Sequence, residues 1–245
     1  MRLLSYNIHK GIGGRDRLYR LQRVIDVIES ENPDLVCLQE VAKNSPRSHY
    51  DDQPKLLAEY FKLPEHLFQQ TVHMKTLNYG NLLLSRWPLA AKHQISLRFN
   101  MKKPRGAQIA VIETPEGPLR LVHFHLGLTE RERKWQIDHL LRHPLYRESE
   151  TLPTLLVGDY NDWRNRLHRG QLADHGYQHI TTPIYRFRTF PAWMAISSLD
   201  KIFSRGNLFI RHARVGHTLL ARRASDHRPL VVDFHLDEAL CKIGN

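Results

Sequence analysis

The sequence predicts an α/β fold in which two packed sheets are flanked by helices. Three features indicate it: an opening strand–helix–strand unit, a series of strands at hairpin spacing, and a later helix followed by more strands. An eight-unit α/β barrel would require a much more regular alternation of strands and helices. Because the 245 residues contain neither an internal repeat nor a Gly/Ser-rich linker, we expect a single domain over residues 1–245.

The opening unit brings two polar side chains to strand ends. Residues 2–8 and 34–40 predict strands, and apolar residues at helical spacing over residues 18–28 predict the helix between them. If the two strands are parallel, their carboxyl ends lie at the same edge of the sheet. We therefore expect Asn7 and Glu40 to emerge close together.

The middle of the chain predicts a short helix and then a run of strands. The helix covers residues 54–62, and the strands cover residues 67–73, 81–85, 90–97, 107–113 and 119–125. The turn Pro115-Glu116-Gly117 joins the last two strands. Because side chains alternate along a strand, His123 and His125 share one face. We expect His123 to be a hydrogen-bonded core residue, whereas His125 at the strand exit fits that role and catalysis equally well.

The stretch over residues 155–162 has two interpretations. It predicts a buried strand whose exit carries Asp159 and Asn161, and an extended backbone would place both side chains on one side. Gly-Asp and Asn-Asp are equally typical of a turn. We expect Asp162 to face away and to be structural.

Later segments add a helix and two strands with polar ends. Thr129 and Glu132 form a capping-box pattern at the start of the helix. Asp200 lies in a strand context between apolar residues, and the pair Asp226-His227 immediately precedes a buried strand.

The composition is strongly basic. The chain has 36 Lys and Arg against 25 Asp and Glu, a net charge of +11. Residues 160–228 alone contain twelve basic and four acidic residues. This balance favours polyanionic partners such as nucleic acid, anionic lipid surfaces or phosphorylated small molecules. A generally solvated basic surface is the alternative, because net charge alone does not identify a partner.

Cysteine content and hydropathy indicate the compartment. The only cysteines are Cys37 and Cys241, which is too few for a disulfide framework or a cysteine-based zinc site. No stretch approaches the roughly 18 apolar residues of a membrane span. Residues 1–4 enter a strand directly and leave no room for a signal peptide. We therefore expect a monomeric, cytoplasmic protein.

The polar residues at strand ends suit phosphodiester hydrolysis. That reaction needs a cation on the phosphoryl oxygens, a base for the attacking water and a group that neutralises the leaving oxygen. Carboxylate and amide oxygens are ligands that Mg²⁺ and Mn²⁺ prefer, and a histidine paired with a buried carboxylate becomes more basic. The candidates are Asn7, Glu40, His125, Asp159, Asn161, Asp200, Asp226 and His227.

These residues lie in segments that resemble, in order, the motifs of the endonuclease/exonuclease/phosphatase superfamily. The segments are Asn7-Ile8-His9, Leu38-Gln39-Glu40-Val41, Gly80-Asn81-Leu82-Leu83-Leu84-Ser85, Val122-His123-Phe124-His125-Leu126, Gly158-Asp159-Tyr160-Asn161-Asp162, Leu199-Asp200-Lys201-Ile202 and Ser225-Asp226-His227-Arg228-Pro229-Leu230. Members of this superfamily include pancreatic-type deoxyribonuclease, apurinic endonucleases, neutral sphingomyelinases and inositol polyphosphate 5-phosphatases. An uncharacterised bacterial subgroup also shares Arg188-Thr189-Phe190-Pro191.

The resemblance implies a four-layered α/β sandwich, with two mainly antiparallel packed sheets and a Mg²⁺-dependent cleft at one edge. Mn²⁺ would serve as an alternative cation. Glu40 would be the principal metal ligand, with Asn7 beside it and Asp226 as a further contributor.

The resemblance also assigns catalytic roles. Asp159 and Asn161 would position the attacking water and the scissile phosphate. Asp200 would orient His227, and His125 would contact the phosphate or the leaving oxygen. Family members differ in whether the residue matching Asp159 or the one matching His227 takes the proton of the water, and both assignments stay open here.

One departure from the family concerns His125. Deoxyribonuclease-like members pair this histidine with a glutamate, but residues 69–85 contain no carboxylate, so the group that orients His125 is open. Specificity is expected in the loops around residues 49–53 and 186–193. We expect Arg105 and Arg188 to bind substrate, although ordinary rim residues are the alternative.

Three functions follow from these patterns. The leading one is a metal-dependent nuclease, cutting nucleic acid from an end or internally. The second keeps the chemistry but acts on a phospholipid headgroup or phosphorylated metabolite, because several apolar residues could form a lipid-facing rim. The third is a basic module that binds nucleic acid without turnover. The rim residues are Trp163, Phe187, Phe190, Trp193 and Met194.

Overall fold

The computed structural model describes residues 1–74, 76–167 and 170–236. Cys241 and Arg169, one of the basic residues counted above, lie outside the described residues. The strands are β1 (Arg2–Asn7), β2 (Leu35–Ala42), β3 (Glu65–Met74), β4 (Leu77–Ser85), β5 (Leu89–Ser96), β6 (Gly106–Thr114), β7 (Gly117–His125), β8 (Thr154–Asp159), β9 (Gln178–His179), β10 (Asp200–Arg205), β11 (Leu208–Val215) and β12 (Leu230–Leu236). The helices are α1 (Leu21–Glu31), α2 (Gln53–Phe61), α3 (Glu130–Arg142), α4 (Pro144–Arg147), α5 (Gln171–Asp174) and α6 (Ala221–Ala224).

The strands form two six-stranded sheets, in the orders β11-β12-β1-β2-β4-β3 and β5-β6-β7-β8-β10-β9. Within the described residues, each sheet has one parallel pair, β1 with β2 and β7 with β8, and its other strand pairs are antiparallel. Carboxyl ends of parallel strands share an edge, and antiparallel neighbours begin where those strands end. The ends of β1, β2, β7 and β8 therefore meet the starts of β10 and β12.

Alternating side chains divide the core into three layers. Leu3 and Leu121 point between the sheets, whereas their neighbours Leu4 and Val122 point outward. Helices α1, α2 and α6 cover the outer face of the first sheet, and α3 and α4 cover that of the second. Period-two alternation thus gives each central strand two apolar faces, which confirms the predicted four-layered α/β sandwich of mainly antiparallel sheets.

Most predicted elements are present, with shifted ends. Helix α1 begins at Leu21, so Leu18 lies outside it and is 49% exposed. In α2 the predicted apolar face is narrower than expected, because Leu57 is buried while Leu56 and Tyr60 are exposed. Thr129 caps α3 as predicted, since its Oγ1 accepts a hydrogen bond of 3.3 Å from the Glu132 backbone amide, whereas the Glu132 carboxylate accepts from Gln136 Nε2 at 3.5 Å.

The stretch over residues 155–162 combines both interpretations. Strand β8 ends at Asp159, and Asn161 has a left-handed backbone with φ of 48°. The extended backbone expected through Asn161 is therefore wrong. The two residues still associate, because the Asn161 amide donates a hydrogen bond of 2.9 Å to Asp159 Oδ1, as in an Asx turn.

A polar bridge joins the two sheets one layer behind the strand ends. His123 is fully buried, and its Nδ1–H donates to Gln108 Oε1 at 2.8 Å while Nε2 accepts from Gln39 Nε2 at 2.7 Å. Burial lowers the pKa of His123 to about 3, so the ring is neutral. His123 is thus the hydrogen-bonded core residue that its position predicts.

Candidate active site

The eight polar residues predicted at strand ends all lie at one edge of the sandwich. Asn7, His125 and Asp159 occupy the last positions of β1, β7 and β8, and Asp200 is the first residue of β10. Register places Asp159 opposite both His125 and Asp200. Six of the residues are buried, whereas Glu40 and Asp226 are half-buried. The six buried residues are Asn7, His125, Asp159, Asn161, Asp200 and His227.

His227 is held by a buried carboxylate. Its Nδ1–H donates to Asp200 Oδ2 at 2.7 Å, and the hydroxyl of Thr189 donates to the same oxygen at 2.5 Å. Burial alone would lower the pKa of His227, but Asp200 and Asp159 reverse the effect and raise it to about 10. His227 is therefore an imidazolium at neutral pH, and its Nε2 faces Asp159 Oδ2.

Asp159 is the centre of the cluster. Its Oδ2 accepts a hydrogen bond of 3.1 Å from Asn7 Nδ2 and lies 3.4 Å from His125 Nε2 and 3.8 Å from His227 Nε2. Burial raises the pKa of Asp159 to about 6. One carboxylate oxygen thus faces an amide and two imidazoles.

Close backbone packing positions Asp159. Gly158 precedes it with φ of 148°, and a Cβ at Gly158 would lie 1.9 Å from the Phe124 carbonyl oxygen of the neighbouring strand. Only glycine permits this approach of β8 to β7. Beyond the strand, Asn161 Nδ2 donates to the Leu126 carbonyl at 3.0 Å and fixes the turn.

His125 is neutral and contacts Asp159. Burial and the nearby Arg105 guanidinium hold the pKa of His125 well below its ordinary value. The contact that the structure shows for this ring is Nε2 with Asp159 Oδ2. His125 thus contacts a carboxylate through Nε2, and the group that orients it in place of the family's glutamate stays open.

The predicted metal ligands lie in three segments, with Asn7 at the end of β1, Glu40 in β2 and Asp226 before β12. Glu40 lies in a bulge of β2 with φ of 56° and forms an ion pair with Lys10 Nζ. Burial would raise the pKa of Glu40, but Lys10 and His125 hold it well below its ordinary value, so Glu40 is ionised. Asn7 Oδ1 accepts from the His9 amide at 3.1 Å, and Asp226 Oδ2 lies 3.8 Å from His9 Nδ1.

Two groups of side chains could hold a divalent cation. In one, ligand atoms of Asp159, Asp200 and His227 lie within 4.8 Å of one another. A charged imidazole is a poor ligand, however, because metal binding needs the neutral ring. The group around Glu40 offers carboxylate and amide oxygens, which suit Mg²⁺ or Mn²⁺, and Glu40 already holds a cationic ammonium. The oxygen donors at Glu40 fit such a cation better; their assignment as ligands stays a prediction.

The two arginines predicted to bind substrate differ in placement. Arg105 is 6% exposed, lies close enough to His125 to depress its pKa, and has a buried Nε without a hydrogen-bond partner among the described residues. Arg188 is exposed beside Thr189. Only Arg105 therefore belongs to the buried cluster, and substrate binding by either residue stays a prediction.

Sequence reasoning missed two buried cations and one hydroxyl. Lys10 directly follows the segment Asn7-Ile8-His9, and Thr189 lies in the segment shared with the bacterial subgroup. Lys201 follows Asp200 directly and is fully buried, with Nζ donating to the Ser198 carbonyl at 2.5 Å. A lysine within an apolar strand was the available signal.

Asp162 is structural, as expected. It is buried, its Oδ2 accepts from the Leu167 amide at 3.0 Å, and Arg133 Nη2 lies 3.8 Å from Oδ1. These contacts hold the loop after β8 and leave the carboxylate away from the cluster.

An aromatic rim adjoins the site. The Phe190 ring lies 4.9 Å from that of His227, and Trp163 packs edge-on against Phe190 at 5.5 Å. Trp163, Trp193 and Met194 are 49%, 40% and 62% exposed. Phe187 is only 5% exposed, so its predicted place on the rim is wrong: it packs in the intersheet core.

The geometry supports hydrolysis of a phosphoester. A base, two imidazoles in different charge states and a cationic guanidinium converge on one partly enclosed point, and an ionised glutamate lies beside it. Proton transfer and charge neutralisation at a phosphoryl group require this combination.

Comparison with known proteins agrees with the geometry. The chain is 27% identical over 246 residues to "Uncharacterized protein YbhP" of Escherichia coli (strain K12), with 96% of each chain covered. A solved endonuclease/exonuclease/phosphatase from Beutenbergia cavernae DSM 12333 superposes with a TM-score of 0.76 at 21% identity, covering 96% of this chain and 71% of that one. D. rerio TDP2 complexed with single strand DNA product gives a TM-score of 0.67 at 18% identity, covering 96% and 98%.

The sequence profile of one family matches nearly the whole described chain. The profile of the Endonuclease/Exonuclease/phosphatase family aligns with residues 4–227, which contain all eight predicted site residues. Helices of the length and apolarity needed to cross a membrane are absent from the described part of the chain. Members of this family hydrolyse phosphoester bonds. With the sandwich fold and the residues at its edge, the match shows that the chain belongs to the endonuclease/exonuclease/phosphatase family.

Proposed function

We propose that this protein is a divalent-metal-dependent phosphodiesterase that cleaves nucleic acid. One observation carries the proposal: Asp159 Oδ2 lies 3.4 Å from a neutral imidazole and 3.8 Å from a charged one. This arrangement separates the base from the proton donor, as hydrolysis of a phosphodiester by water requires.

Charge states assign the proton transfers. His227 carries its proton at neutral pH and cannot accept one, so Asp159 takes the proton of the attacking water. As the water oxygen bonds to phosphorus and the bond to the leaving oxygen breaks, the His227 imidazolium donates its Nε2 proton to the leaving oxygen, while Asp200 holds the ring by Nδ1. His125 faces the same point and contacts the phosphate or the leaving oxygen. Asn161 holds the backbone that carries Asp159.

Glu40, Asn7 and Asp226 would hold the cation. Bound there, Mg²⁺ or Mn²⁺ would supply Lewis acidity toward the phosphoryl oxygens. Arg105 would add a second positive group, because its buried Nε has no hydrogen-bond partner within the described residues.

Nucleic acid is the favoured substrate. The net charge of +11 attracts a polyanion. TDP2, a similar fold, is known in complex with single strand DNA product. Binding without turnover is disfavoured because Asp159, His125 and His227 lie close together, as a base and a proton donor would.

A substrate panel tests the proposal. Purified protein is incubated with plasmid, abasic duplex, RNA, phospholipids and phosphoinositides in Mg²⁺, Mn²⁺ or a chelator. We expect nucleic-acid cleavage that the chelator abolishes and that Asp159→Asn and His227→Ala lose. The exposed Asp174→Asn serves as the matched control and should cleave normally. Full cleavage by the two site variants would overturn the assignment.

The aromatic rim supports a second candidate, a phospholipid headgroup or phosphorylated metabolite. Exposed Trp193 and Met194 could enter a lipid interface beside His227. Flotation with anionic liposomes separates a phospholipid substrate from nucleic acid. The variant Trp193→Ala serves as the control for the wild type. Failure of the wild type to float would count against the lipid substrate. The monomeric state and the cytoplasmic location stay predictions.

A further inference from the structure

Lys10 is placed where a divalent cation would bind. It follows β1 in a short 3-10 turn, with a left-handed backbone at φ of 63°, and its side chain is largely buried. Its Nζ donates to Glu40 Oε2 in an ion pair. The ammonium thus neutralises the carboxylate that is the expected metal ligand.

The surroundings hold Lys10 from several sides. Gln53, itself fully buried, donates through Nε2 to the Lys10 carbonyl at 2.8 Å. Lys10 Nζ lies 4.9 Å from the centre of the Tyr79 ring, and Lys103 Nζ lies 5.0 Å from the same ring. Gln53 therefore fixes the backbone and Tyr79 the path of this side chain, which is not a solvated surface lysine.

A divalent ion at Glu40 would compete with the Lys10 ammonium for Oε2 of the same carboxylate. A divalent ion at Glu40 would repel the ammonium at contact distance, in surroundings where burial weakens solvent screening. The Lys10 ammonium is carried on a flexible chain of four carbons. It can therefore move away from Glu40 while Gln53 keeps the Lys10 backbone in place.

We propose that Lys10 is an internal counter-ion of Glu40, which a divalent cation displaces when it binds there. The proposal rests on the metal-dependent function above and adds a residue that sets the affinity for metal. Before the cation binds, Lys10 compensates the Glu40 charge. Afterwards its ammonium is free of Glu40, lies with Lys103 at the Tyr79 ring, and is available to a substrate phosphate.

Amine labelling of the wild-type protein tests the displacement directly. An acylating reagent modifies free amines, and mass spectrometry follows Lys10 with a chelator and with Mn²⁺, using the exposed Lys134 as internal reference. We expect the rate at Lys10 relative to Lys134 to rise severalfold with Mn²⁺, because the amine leaves its ion pair. An unchanged or lower ratio would overturn the proposal.

Calorimetric titration of Mn²⁺ gives a second test. We expect Lys10→Met to bind Mn²⁺ about tenfold more tightly than wild type, because the cation no longer competes with an ammonium. Lys134→Met should bind as wild type does. Equal or weaker binding by Lys10→Met would overturn the proposal.

Glu40→Gln separates this proposal from the proposed function. If that variant binds Mn²⁺ normally, the cation is not at Glu40 and the role of Lys10 is refuted, whatever the substrate panel shows. If Glu40→Gln loses Mn²⁺ and Lys10 labelling responds to Mn²⁺, the counter-ion role holds even without nucleic-acid cleavage.

Discussion

The charge on His227 depends on a carboxylate that water does not reach. Asp200 is fully buried, and its Oδ2 accepts from both His227 Nδ1 and Thr189. Asp200→Asn keeps the size but removes the charge, so the imidazolium loses its strongest stabilising neighbour. We expect kcat to fall by about 10²–10⁴-fold, the range that general acid–base catalysis contributes.

Steady-state hydrolysis under identical metal conditions measures this effect. Asp174→Asn, on a short exposed helix, should keep the wild-type kcat. If Asp200→Asn also kept it, the proton-donor role of His227 would be wrong. Circular dichroism before the assay shows that the variant is folded.

His123 makes stability depend on pH. Its folded pKa is about 3 against 6.5 in the unfolded chain, so below pH 6.5 only the unfolded state binds the proton. The associated stability is complete above pH 6.5 and is lost as the pH falls towards 3. We expect the wild type to lose roughly 1.4 kcal/mol per pH unit more than His123→Gln in that range.

Urea unfolding at pH 7 and at pH 5 measures this difference. The exposed His66→Gln serves as the control. Its free energy of unfolding should change between pH 7 and pH 5 as that of the wild type does. If the free energy of unfolding changed with pH equally in wild type and His123→Gln, the buried ring would have to titrate in the folded state.

At the level of residues, the sequence predicts where a site residue lies in the fold better than it predicts which side chains that residue contacts. Strand ends and period-two alternation place Asn7, Asp159 and His227 at one edge. The contact of Lys10 with Glu40 depends on a left-handed turn and a β-bulge, which propensities do not reveal.

At the level of elements, a buried arginine joins β7 to the layer outside it. Arg120 is fully buried and donates to Thr154 Oγ1 at 2.9 Å, to the Tyr146 carbonyl at 2.5 Å and to the Tyr177 hydroxyl at 3.3 Å. Arg120→Met fills the space but removes all three hydrogen bonds and leaves the Tyr146 carbonyl without this donor. We expect a loss of about 2–4 kcal/mol in the free energy of unfolding.

Chemical denaturation measures that loss, and Arg131→Met on the exposed side of α3 is the matched control. Arg120 lies near the start of β7, away from His125 at its end, so kcat per folded molecule should not change. A large drop in kcat with little loss of stability would contradict this division between scaffold and site.

Elements missed by sequence reasoning are those with weak packing signals. Strand β11 carries Phe209, Arg211 and His212 at the edge of its sheet, where polar residues obscure the alternation. Strand β9 has two residues, too few for any period. The central strands were predictable because both of their faces are buried.

At the level of the whole molecule, the topology makes the site. Parallel β1–β2 and β7–β8 pairs send four carboxyl ends to one edge, and the antiparallel β10 and β12 begin there. Polar side chains from distant parts of the sequence therefore meet at this edge, which is why each segment alone was ambiguous. The basic excess is concentrated in residues 160–228, which also contribute Asp200, Asp226 and His227 to this edge.

That charge gives a prediction for nucleic-acid binding. Arg222 and Arg223 of α6 are exposed shortly before Asp226-His227, and Arg223 lines a cleft with Arg15. If both contact phosphates, Arg222→Ser/Arg223→Ser should reduce the slope of log affinity against log salt by about one to two units. Fluorescence anisotropy with a labelled duplex measures the slope, in an Asp159→Asn background that does not cleave.

The matched control is Arg142→Ser/Arg147→Ser, in α3 and α4, which removes the same charge far from the site edge. Non-specific attraction by the net charge would lower the slope equally in both double variants, whereas a defined path for the polyanion lowers it only when α6 is changed. An equal effect would therefore leave the basic excess as a general surface property and would refute a path for the substrate along α6.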